Sequence, residues 1–187
     1  MKLKWALNEL KKYQDEGLPV EGEVNLEKEL KEKTSQILSA KPLKIKGLIT
    51  VEKDFYSLYL NVHAHLVLPS SRSLNPVPFE MDFVIDEIYL PTGSEEKAEL
   101  FSDEDIVIEL EKDMLDLIPI ITDNVIAALP FQVYTQEELD SKEMPSGNDW
   151  KVVPEEEYEN SVKNHLSEEG DPRFSALKSL FTQEEEQ

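Results

Sequence analysis

The longest apolar pattern in the chain has period two. Between Phe55 and Leu68, the residues Leu58, Leu60, Val62, Ala64, Leu66 and Leu68 alternate with Tyr59, Asn61, His63, His65 and Val67. That alternation marks a strand with one buried face. A second run, from about Val77 to Leu90, sets Phe79, Met81, Phe83 and Ile85 on one side. Pro69, the serines after it and Asn75-Pro76 predict a hairpin connection between the two. Upstream, Leu43, Ile45, Gly47 and Ile49 alternate after Pro42, predicting a strand that turns near Asp54. Leu18 to Val24 alternates as well. Asn25 follows it as a candidate cap for a short helix through Lys31.

Other stretches repeat at three and four residues. Leu7, Leu10 and Tyr13 predict a helix over Ala6 to Gln14, with Gly17 as its stop. Pro91 to Asp103 reads as an exposed loop with one helical turn, followed by a short strand at Ile106, Ile108 and Leu110. From Asp113, the residues Met114, Leu117, Ile118, Ile121, Val125, Ala128 and Leu129 predict a strongly apolar helix ended by Pro130. Pro119, in its second turn, kinks that helix or shifts its start. The fold class predicted for residues 1–133 is α+β: an antiparallel, curved or partly closed β-sheet packed with a long apolar helix. Residues 134–170 read as an acidic, partly disordered linker. Residues 171–187 read as a short C-terminal helix and frayed tail, with Asp171 as cap, Pro172 in the first turn, and Phe174, Leu177, Leu180 and Phe181 apolar.

Charge changes the picture more than hydropathy does. The 187 residues carry a formal net charge of −21. The first 50 residues are lysine-rich and slightly positive, so the excess of acids lies entirely beyond them. A field of that sign repels polyphosphates and favours basic partners. The chain has no cysteine, which excludes disulfides, thiolate metal sites and a cysteine nucleophile and fits a cytoplasmic protein. The N-terminus has no apolar leader-like core, and no apolar run reaches membrane-spanning length.

Arginine is used only at Arg72 and Arg173, each in a compact, proline-marked stretch. A guanidinium is a rigid fork suited to carboxylate, phosphate or carbonyl recognition. The surrounding residues carry a resemblance. Ser70-x-Arg72-Ser73-Leu74 resembles the Cys-x-Arg-Cys-Leu signature of the YceD family, with serine at both cysteine positions. Ile126-Ala127-Ala128-Leu129-Pro130 is similar to that family's Leu-Ala-Leu-Pro helix end. Met144-Pro145-Ser146-Gly147-x-Asp149-Trp150 resembles a segment of its Firmicutes branch, and Asp171-Pro172-Arg173-Phe174-x-x-Leu177 resembles its closing helix. The resemblance implies a role in accumulation of large-subunit (23S) ribosomal RNA, and a gene neighbouring one for a small basic ribosomal protein.

The candidate chemistry is sparse. His63 and His65 project from one strand face, but no third ligand is evident, so the expectation is no metal and no cofactor. Many YceD proteins carry paired cysteines that suggest zinc, and Ser70 and Ser73 are poor substitutes for them. The carboxylate runs Asp103-Glu104-Asp105 and Glu155-Glu156-Glu157 read as solvated surface. No phosphate-cradling loop, calcium loop or nucleophile elbow occurs, so no enzyme is expected. The functional expectation is a non-catalytic, cytoplasmic ribosome-biogenesis factor whose acidic surface holds a basic large-subunit ribosomal protein or a pre-ribosomal particle. The alternative is a direct RNA-binding module. The residues expected to meet partner or RNA are Arg72, Ser70, Ser73, Lys44, Lys46 and Arg173. Trp5 and Trp150 read as packed anchors.

Overall fold

The computed structural model describes residues 1–140 together with 146, 147, 149, 152, 153 and 158. The chain divides into two units, Met1–Thr135 and Gln136–Gln187. In the second, the described element is a short helix at Gln136–Asp140. Trp150, Arg173 and the expected closing helix over 171–187 lie outside the described residues, as does most of the expected linker over 134–170.

The first unit is built on the predicted hairpin. Strand β5 runs Tyr56–Pro69 and strand β6 runs Pro76–Leu90. They pair antiparallel over their whole length, from Tyr56 opposite Tyr89 to Pro69 opposite Pro76. Strand β4, Leu43–Val51, pairs antiparallel with β5, and strand β2, Leu18–Val24, pairs with β4. A two-residue strand β3, Ser39–Ala40, also pairs with β5. Strand β7, Val107–Glu109, joins β6 in parallel, which gives an open sheet of order β2-β4-β5-β6-β7. Gly47 lets β4 and β5 approach closely, since a Cβ there would lie 2.0 Å from the Tyr59 carbonyl oxygen.

The alternation read from the sequence decides which face is buried. Leu43, Ile45, Ile49, Leu58, Leu60, Val62, Leu66 and Ile85 all point into the core. Helices α1 (Leu7–Leu10), α2 (Glu27–Lys33) and α3 (Leu117–Ala127) contribute Leu7, Leu10, Leu30, Leu117, Ile121 and Val125 to the same cluster. Asn25 Oδ1 accepts a hydrogen bond from the Glu27 amide at 3.1 Å, but it stands one position before the N-cap of α2, which is Leu26.

Two expectations are corrected. The helix predicted over Ala6 to Gln14 is shorter: Lys4–Ala6 is strand β1, and α1 passes at Lys11–Tyr13 into a 3-10 turn. The helix predicted from Asp113 begins only at Leu117, because Met114–Asp116 is strand β8, paired with β1. That pairing sets Trp5 opposite Leu115 and buries both. Asp116 caps α3 by accepting from the Ile118 amide at 3.1 Å. Pro119 therefore falls in the first turn, where an amide has no carbonyl partner within the helix and its absence costs little.

Candidate functional site

Ser70 to Asn75 connects β5 to β6, and its geometry is set by a serine. The Ser70 hydroxyl accepts from the amides of Arg72 at 3.1 Å and Ser73 at 3.3 Å. Its amide donates to the Asn75 carbonyl at 2.8 Å, and its carbonyl accepts from Leu74 at 3.1 Å. Ser70 is 0% exposed. Expected as a partner contact, it gives its hydroxyl to shaping the turn. Ser73 accepts from the Asn75 amide at 3.3 Å and lies at the surface. The tightness of the turn forces Leu74 to a φ of 62° while its side chain is 73% exposed. A leucine in the left-handed region is strained, and such strain persists only where the surroundings over-determine it.

The segment that follows α3 is fastened to this turn. The Ser71 amide donates to the Val133 carbonyl at 2.7 Å, and the Val133 amide donates to the Ser71 hydroxyl at 3.0 Å. The Arg72 guanidinium lies 4.6 Å from the centre of the Tyr134 ring, a cation–π contact. Pro130 ends the helical spacing, and Phe131 stands out fully exposed at 106%. A shallow hollow of about 150 Å³ between Leu68, Ser71, Leu129 and Phe131 opens beside it. Two stretches singled out separately in the sequence, Ser70–Leu74 and Ile126–Pro130, thus meet at one corner. Sequence reasoning missed Tyr134, Val133 and Phe131. An aromatic placed directly after a helix-ending proline was the available signal.

Lys44 and Lys46 stand elsewhere, on the outer face of the sheet. Lys46 pairs with Glu21 at 3.2 Å, and Tyr59, Asn61, His63 and His65 share that face. The corner and this face are distinct surfaces.

A third surface was legible only as charge. Between β7 and α3 lies a groove of about 570 Å³ lined by the carboxylates Glu87, Glu109, Glu111, Asp116 and Asp123. Ile108, Met114 and Ile120 line it as well, and Ile108 and Met114 are exposed. Two of its carboxylates are ion-paired, Asp116 with Lys4 at 2.8 Å and Asp123 with Lys33 at 2.5 Å, and Lys112 is a further lining cation. At the inner end, Glu87 is buried and accepts from Asn124 Nδ2 at 2.8 Å and from the Tyr89 hydroxyl. Burial, with the Glu87 carboxylate added, pushes the Tyr89 phenol far above its ordinary value. Among the described residues, no group of three or more histidines and acids converges as a metal cluster. No helix among them is long and apolar enough to cross a membrane.

A model of the family described as large ribosomal RNA subunit accumulation protein YceD matches residues 58–181. The chain is also 26% identical, over 98% of its length and 99% of the relative's, to "Uncharacterized protein YlbN" of Bacillus subtilis (strain 168). No solved structure matches it significantly.

Proposed function

The chain belongs to the YceD family, and from that premise we propose that it is a non-catalytic, cytoplasmic factor of ribosome biogenesis. It promotes accumulation of large-subunit (23S) ribosomal RNA by holding a basic large-subunit ribosomal protein until that protein meets RNA. The family description supports the ribosomal role. The groove between β7 and α3 supports this mechanism: acidic side chains beside exposed apolar ones suit a basic, partly apolar segment and repel a phosphate backbone. The corner around Arg72 supplies shape: exposed Leu74 and Phe131 offer apolar contacts, while Arg72 and Ser73 offer polar ones. Arg173 belongs to the same proposal through its motif alone.

A second reading, direct RNA binding, rests on Tyr59, which is half exposed on the sheet face that also bears Lys44 and Lys46. The Lys46–Glu21 pair weakens the field there. One experiment separates the two. The purified protein is titrated with basic large-subunit ribosomal proteins and with short rRNA fragments at several salt concentrations. The proposal expects salt-sensitive binding of a basic protein and little affinity for free RNA. Tight RNA binding without any basic-protein binding overturns it.

A further inference from the structure

The outer sheet face carries two histidines whose hydrogen bonds do not add up for neutral rings. His63 Nδ1 lies 2.7 Å from Asp82 Oδ1, and His65 Nδ1 lies 2.9 Å from Glu80 Oε1. The two Nε2 atoms are 2.9 Å apart, with the rings edge to face at 89°. A carboxylate only accepts, so each Nδ1 carries a hydrogen. A neutral imidazole has a single N–H, which leaves two Nε2 atoms, each with a lone pair, 2.9 Å apart. Only a positive centre between them makes that contact favourable. A shared proton meets the requirement, and so does a metal ion.

We propose that His63 and His65 form a site for a divalent transition metal of the nickel or copper class, ligated through both Nε2 atoms. A ligating imidazole characteristically donates its other N–H to a carboxylate, which fixes its tautomer and raises its basicity. Here that arrangement occurs twice, because the β5–β6 register places Asp82 opposite His63 and Glu80 opposite His65. The spacing selects the geometry. Nitrogens about 2.05 Å from a metal and at right angles to each other are about 2.9 Å apart, whereas a tetrahedral ion would hold them about 3.4 Å apart. The observed 2.9 Å fits adjacent positions of a square-planar or octahedral ion.

The surroundings leave room for the remaining ligands. His63 lines an open hollow of about 510 Å³ with Asn61, Asp82, Val84 and Lys44. Two protein donors and solvent make an exchangeable site, unlike a closed structural one. Lys44, opposite His63 on β4, is the adjacent cation, and Asp82 and Glu80 outweigh it. The sequence reading expected no metal for want of thiolates and a third ligand. It could not show the cross-strand carboxylates that prepare the two imidazoles.

The test is a calorimetric titration of the untagged full-length chain with Ni²⁺, repeated with Cu²⁺. One ion per chain is expected, with affinity falling at least tenfold in His63→Gln and in His65→Gln. Asp82→Asn leaves both donors in place and should weaken binding about tenfold, as loss of an orienting carboxylate does. Melting curves of the metal-free variants, expected to match the parent, show that the fold is kept. No saturable uptake by the parent, or unchanged affinity in the double variant His63→Gln/His65→Gln, overturns the proposal and leaves the pair holding a shared proton.

Discussion

The two ends of the β5–β6 hairpin are built on different physics. At the turn end, position is fixed by short, directional contacts: the Ser70 hydroxyl under two amides, the Ser71–Val133 exchange and the Arg72–Tyr134 stack. At the other end, where β7 and α3 flank β6, the feature is a field. Five carboxylates line a groove, and lysines pair with two of them, Asp116 and Asp123. Directional contacts hold against salt and select by shape, whereas a field acts at a distance and fades with salt. A partner gripped at both ends would be attracted by one and recognised by the other.

The largest expected effect removes what the ends share. Gly47→Ala drives a methyl group into the β5 backbone at Tyr59, and overpacking of that kind costs about 3 kcal/mol. The denaturant midpoint should drop sharply and both binding properties should fail together. Survival of groove-dependent binding in this variant would show that the acidic end folds without the central sheet.

Smaller changes should separate the ends. Ser70→Ala leaves two backbone amides without their acceptor at a buried position, costing about 1–3 kcal/mol. Leu74→Gly should do the reverse to stability. It relieves a left-handed leucine and should raise the melting midpoint by the equivalent of about 1 kcal/mol. If the exposed leucine is there to meet a partner, the same variant weakens partner binding while stabilising the fold. A variant that is more stable and binds equally well would remove Leu74 from the contact surface.

At the groove, the exposed Glu111 changed to lysine (Glu111→Lys) should leave the midpoint within about 0.5 kcal/mol, as surface changes do. Affinity for a basic protein should fall at low salt, and the salt dependence should flatten. Arg72 has a defined structural share: loss of its stack on Tyr134 should cost about 0.5–1 kcal/mol in Arg72→Ala. Arg72→Lys should recover part of that stability. It should recover none of the partner binding if the planar fork is what is read.

What the sequence revealed follows the range of the interactions. The hairpin was legible because alternation along β5 and β6 is a local signal repeated over many residues. Strands β1 and β8 were not, since three residues show no period and their partners lie more than a hundred positions apart. Met114 shares helical spacing with Leu117, Ile118 and Ile121, so local pattern alone extends α3 backwards over a strand. The short strand at Ile106, Ile108 and Leu110 was legible, but its parallel pairing with β6 was not, because three residues carry no mark of strand direction or partner. At the corner, the motif residues stood out, but Tyr134 did not, because nothing in residues 131–135 says which loop they meet. The acidity of the groove was visible as a sum, and its location on one flank was not.

The smallest expected effect is a titration confined to the acidic end. Lys97 belongs to the 3-10 segment Glu95–Leu100, and it reaches Asp54 in the β4–β5 turn at 2.5 Å. The hydrogen bond from Lys97, aided by its charge, holds the Asp54 carboxyl below the ordinary aspartate value despite some desolvation. A lowered value in the folded state means that the link stabilises the fold above the ordinary aspartate range. That contribution fades as pH falls through the lowered value. Both groups are open to solvent, so the contribution is small and screened by salt. It should still be visible locally: amide resonances of residues 94–101 should shift on acidification, with a midpoint below that of an unperturbed aspartate. Lys97→Gln should return the midpoint to the ordinary range. At the Ser71–Leu74 turn, the hydrogen bonds from the Arg72 and Ser73 amides to Ser70 and from the Asn75 amide to Ser73 involve no titrating group and should persist over the same interval. Concerted movement of both ends at one pH would mean that the field and the fastened corner are coupled, and the contrast between them would fall.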